Sequence, residues 1–71
     1  MAHWHYQVMR HKPTAAHEEE YYAIHEYFPL EDGPAWTEEP VQVDASNVDE
    51  LKKTLLLMLG DIEKHGVMDY E

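Results

Sequence analysis

Apolar residues recur at helical spacing between residues 47 and 65, and at strand spacing in two segments before it. At about 100° per residue, Val48, Leu51, Leu55, Met58, Leu59 and Ile62 share one stripe, which is the predicted core face of an amphipathic helix. Leu57 falls nearly opposite, among Glu50, Lys53, Asp61 and Lys64. Leu56 lies off the edge of the stripe beside Lys53 and Gly60. A helix interior disfavours glycine by about 1 kcal/mol relative to alanine, so Gly60 calls for a reason such as close approach of another backbone. Leu56, Leu57 and Gly60 are therefore candidate contacts with a partner. On this reading Leu57→Glu gives a folded monomer, whereas Leu55→Glu unfolds the chain.

The ends of this helix are written in the sequence. Asn47 stands as the N-cap with Glu50 three residues on, and Asp49 and Glu50 complement the positive end of the helix dipole. Lys64 and His65 suit the other end, and Gly66 supplies the residue that commonly terminates a helix.

Upstream, residues 2–11 and 21–28 alternate with a period of two and are rich in aromatic and β-branched residues. Trp4, Tyr6, Val8, Tyr22, Ile24 and Phe28 have one parity and are predicted to meet the helix stripe. The opposite face would then carry His3, His5, Met9, Tyr21, His25 and Tyr27, making Tyr21 and Tyr27 candidates for a second contact surface. Glu31, Asp32 and Gly33 mark a turn, after which residues 35–43 form a third strand. Pro40 lacks a ladder donor and places that strand at an edge. The resulting expectation is one α+β domain over residues 1–71: a three-stranded antiparallel sheet, in order β-β-β-α, with one C-terminal helix on one face. The tail at residues 67–70 is a weaker candidate for a fourth strand.

Charge narrows the function classes. Fifteen acidic and five basic residues give a formal net charge of −10, which repels nucleic acid and favours a basic partner. The acids are spread along the chain, an arrangement suited either to solubility or to imitation of a phosphate backbone. With 71 residues, no cysteine and no zinc-type spacing, neither disulfides nor a structural metal supplement a small core. Association is the simplest remaining source of stability, with a two-fold homodimer the commonest closed form. No apolar run is long enough for a membrane span and no secretory signal is visible, so a soluble, cytoplasmic protein is expected.

Six histidines bring candidate chemistry. His3 and His5 project from one strand face, and His25 joins them if the first two strands pair in register, giving three imidazoles that zinc, copper or nickel could use. The alternative is surface or interface histidines, with no cofactor. Protonating all six would move the formal charge from −10 to −4, so self-association is expected to respond to mild acid. Catalysis has little support: Ser46 is the sole serine and sits beside the N-cap, and no phosphate-binding glycine loop is present. Glu26 has inward parity, and so has Arg10, which predicts a cross-strand ion pair rather than an acid/base role.

The succession Trp4-His5-Tyr6-Gln7-Val8, Tyr22-Ala23-Ile24-His25-Glu26, Asp32-Gly33, Trp36-Thr37-Glu38 and Val48-Asp49-Glu50-Leu51-Lys52 resembles small uncharacterised proteins of bacteria, phages and mobile gene cassettes. The element order is also similar to the HicB-like antitoxin domain, in which a three-stranded sheet and a helix bind a small basic toxin. That likeness implies a basic protein as partner, while the DNA-binding segment of longer HicB proteins has no counterpart here. The expected function is a non-enzymatic, self-associating protein-interaction module. An acidic inhibitor of a basic protein is the alternative, and histidine-based metal binding comes third.

Overall fold

In the computed structural model, which describes residues 3–71, the elements run β1 (His5–His11), β2 (Tyr21–Phe28), β3 (Ala35–Trp36), α1 (Val48–His65) and β4 (Val67–Asp69). The fold is α+β, but the sheet has four strands in the order β3-β2-β1-β4 and is mixed rather than wholly antiparallel. β1 pairs antiparallel with β2, and β2 with β3; β4 joins the far side of β1 in parallel, Val8 opposite Val67 and Arg10 opposite Asp69. Parallel pairing follows from the intervening helix. A tight turn reverses the chain, whereas a helical crossover of a dozen or more residues can return it in the same direction. The short tail thus closes the open side of β1 and makes that strand central.

α1 begins and ends where its sequence signals stand. The Asn47 side chain accepts from the Glu50 N–H at 2.9 Å, and Gly66, at φ 66°, donates its N–H to the Ile62 carbonyl. The helix then docks on the first half of β1 through polar contacts. Asp61 accepts the Tyr6 N–H at 2.9 Å, His65 stacks on His5 with ring centroids 3.5 Å apart, and the Gln7 side chain donates to the Gly66 carbonyl at 2.9 Å.

β3 is shorter than the 35–43 segment predicted from the sequence. Beyond Trp36, isolated bonds from the Thr37 N–H to the Glu26 carbonyl and from the Val41 N–H to the Ile24 carbonyl keep the chain along β2. Pro40, which has no N–H, interrupts regular pairing there and leaves an irregular edge, as expected of proline in a ladder.

The sheet's buried parity is the reverse of the predicted one. Gln7, Met9, His11 and His25 are buried, whereas Trp4 and Tyr22, assigned inward from their hydrophobicity, are largely exposed. Trp4 instead packs edge-on against Tyr6 and near Phe28 on the other face. Alternation shows that two faces differ, but the histidines here are aromatic surfaces with hydrogen-bonding tips, and they fill an interior once partnered. The ion pair also moves: Glu26 lies opposite Tyr6, and Arg10 instead binds Asp69 of β4 at 2.6 Å.

The helix stripe needs a similar correction. Met58 is its sole buried residue; Leu51, Thr54, Asp61, Ile62 and His65 are half-buried, while Val48, Leu55 and Leu59 are exposed. The buried line is therefore rotated from the predicted stripe toward Thr54 and Asp61, because polar groups on β1 recruit the helix. Leu55, at 48% exposure, is not a core residue. Leu55→Glu is accordingly expected to keep its helix and sheet content, with a stability change near the ±0.5 kcal/mol typical of surface sites. Loss of the far-ultraviolet circular dichroism spectrum in that variant would contradict the placement.

Candidate functional site

Two features stand out: an apolar outer face on α1, and a histidine cluster under the C-terminal tail. On the helix, Leu55, Leu56 and Leu59 together with Lys52 line a shallow groove whose surface is almost wholly apolar. Leu56 is 68% exposed and Leu59 51% exposed. The helical period explains why they gather: Lys52, Leu56, Leu59 and Glu63 fall within about 60° of one another around the axis, facing away from Met58. Leu57 is exposed too, but on the flank beside Lys53 and Lys64 rather than in the groove. Gly60 borders the groove, and nothing lies within 4 Å of the place a Cβ would occupy. Its glycine is therefore not demanded by contacts inside the chain.

The second feature joins β1, β2 and the tail. His11 and His25 place their Nε2 atoms 2.8 Å apart, and His25 Nδ1 is 2.8 Å from the Thr37 carbonyl oxygen. A carbonyl only accepts, so Nδ1 of His25 carries the proton; in neutral His25 the Nε2 lone pair then accepts from His11 Nε2–H. The tail covers this pair. Tyr70 stacks on His11 with centroids 4.3 Å apart, lies near His25 and Trp36, and donates its hydroxyl to the Glu38 carbonyl at 3.1 Å. Tyr21 stacks on the other side of His11 and on His17. Burial and the neighbouring His25 hold the His11 pKa below the ordinary histidine value, with Glu71 acting in the opposite sense.

This arrangement separates the three histidines suggested as metal ligands. His25 is committed to His11 and Thr37, His5 is stacked on His65 and donates its Nε2–H to Gln7 Oε1 at 3.1 Å, and His3 is exposed. Among the described residues, no group of three or more histidines and carboxylates is placed to hold a metal ion. Tyr27 stacks on Trp36 and lies near His5, so both suggested tyrosines serve aromatic packing within the chain. Sequence reasoning missed Gln7, His11 and Tyr70. The signal that could have found them was the clustering of aromatic residues with the parity of His25, combined with a tail long enough to reach them.

Among the described residues, no helix is long and apolar enough to cross a membrane. The fold and the two features define a small α+β protein with a mixed four-stranded sheet, a polar-lined interior and an exposed leucine face. Comparison with protein-family models, curated proteins and solved structures found no match.

Proposed function

We propose that the protein is a non-enzymatic module that associates with a second copy of itself through α1. The observation that carries this reading is the imbalance between inside and outside. Among the described residues only Met9 and Met58 are fully buried apolar side chains, while Val48, Leu55, Leu56, Leu57 and Leu59 of one helix are exposed. Burial of apolar surface is the principal favourable term in folding, and large exposed apolar clusters mark interaction surfaces more often than chance. A second copy seated on the groove would bury Leu55, Leu56 and Leu59, which the sheet does not.

Electrostatics supports the choice of face. α1 contains four acidic residues and three lysines, so it carries a formal −1 of the chain's −10. Two copies meeting there repel one another less than at the acidic loops around Glu18–Glu20 or Glu38–Glu39. Sedimentation over a range of protein concentration is expected to show a dimer that strengthens with added salt, as screening reduces the remaining repulsion. A monomer at all concentrations would refute the reading.

A second reading is an acidic inhibitor of a basic protein, in the manner of an antitoxin. The exposed acids at Glu18–Glu20, Asp32, Glu38 and Glu39 favour it, since they concentrate charge on loops outside α1. It predicts the opposite salt dependence: a basic partner captured at low salt and released at high salt.

A further inference from the structure

We infer that the two copies pair α1 antiparallel about a two-fold axis, with Lys52 of each chain meeting Glu63 of the other. The inference rests on the self-association reading and specifies its geometry. Lys52 and Glu63 are eleven residues apart in the sequence, close to three helical turns, so both lie on the outer face, about 20° apart around the axis and roughly 16 Å apart along it. Both are exposed, and the ion pairs formed among the described residues, Arg10–Asp69 and Lys12–Glu71, leave both of them free of such a partner.

An axis crossing the helix between the levels of Leu57 and Met58 relates the ends of this face to each other. It sets Lys52 opposite Glu63 of the second copy, and by symmetry Glu63 opposite the second Lys52. Leu56 then meets Leu59, while the two copies of Leu55 come together on one flank and the two copies of Gly60 on the other. The face thereby complements itself: two ion pairs at the ends, leucine against leucine at the centre, and glycine on the flank beside Leu56, where it leaves room for the second helix. Isologous contact of this kind requires self-complementarity, and the face has it. A parallel pairing in register would set Lys52 against Lys52 and Glu63 against Glu63, placing like charges at both ends. Gly60 also gains a role that nothing inside the chain provides, because small residues allow helices to approach closely.

Charge reversal tests the arrangement. Lys52→Glu and Glu63→Lys are each expected to weaken dimerisation about tenfold, since each sets like charges together at both ends of the face. The combined Lys52→Glu, Glu63→Lys chain should recover to within about threefold of the original, because the exchange restores both pairs. Both substitutions are at exposed positions, and circular dichroism checks that each of the three variants remains folded. Cysteine cross-linking supplies a second readout in a chain that has no cysteine of its own. A mixture of Lys52→Cys and Glu63→Cys chains should give a disulfide-linked heterodimer, whereas Lys52→Cys alone should give little linked product. A dimer that is indifferent to charge reversal, or that cross-links efficiently through Lys52→Cys alone, overturns the antiparallel pairing while leaving self-association standing. A monomer before any substitution would overturn both.

Discussion

Replacing His25 with alanine is expected to destabilise the fold by roughly 2–4 kcal/mol, combining loss of a buried ring with loss of its hydrogen bonds. His25 is fully buried, and each of its ring nitrogens has a partner on a different segment: His11 on β1 and the Thr37 carbonyl beyond β3. Truncation removes the ring from beneath Tyr70 and strands two polar groups. His11 Nε2–H loses its acceptor in a buried site, and the Thr37 carbonyl loses its donor. Thr37 also donates its N–H to Glu26, so the irregular edge of the sheet is anchored at the same place. A domain of this size has a net stability on the order of 4–10 kcal/mol, which makes the expected loss a large share of the total. Urea titration of the purified variant gives the value. A midpoint unchanged from that of the original chain would mean that the pair does not support the fold.

Mild acid is expected to act through the same cluster. The folded chain holds His11 below the ordinary histidine value of 6.5. On acidification the unfolded chain therefore takes up this proton first. Stability from the neutral His11 ring is fully present above about pH 6.5 and declines as pH falls toward the depressed folded value, below which the loss is complete. The environment explains the sign: burial disfavours the cation, His25 and His17 add to that effect, and Glu71 offsets a part. Tyr21 and Tyr70 stack on the two sides of the ring and offer it no carboxylate. Urea midpoints measured from pH 7.5 down to about 5.5 should fall, and His11→Gln should flatten the slope in that interval. A His11→Gln chain with the original slope would place the proton uptake elsewhere.

The limits of the helix and its two caps were legible from local signals, because capping is satisfied within a few residues: Asn47 needs only the Glu50 N–H, and Gly66 only the Ile62 carbonyl. The first two strands were legible for the same reason, since alternation is a property of neighbours. Which face of each element turned inward was not. Trp4 and Tyr22 are more hydrophobic than His11, Gln7 and His25, yet the latter are buried, because Tyr70, Thr37 and Gly66 arrive from distant parts of the chain to complete their hydrogen bonds and stacking. Long-range partners of that kind leave no periodic signal.

The exposed leucines follow the same division. Periodicity identified Leu55 and Leu59 as members of an apolar stripe, and the structure turned that stripe partly outward when Asp61 and His65 fastened the helix to Tyr6 and His5. Leu56 lines the groove, Leu57 is exposed outside it, and Gly60 is not among the lining residues.

By itself the sequence determined the α+β class, the helix and its ends, the acidity and the surplus of apolar residues on one helix. Tertiary structure alone decided the parallel fourth strand, the buried histidine pair and the face that α1 leaves open. The physical reason is range: local signals are satisfied within a turn or a strand pair, whereas burial of a polar ring depends on whichever distant donor, acceptor or aromatic surface the closed chain brings to it.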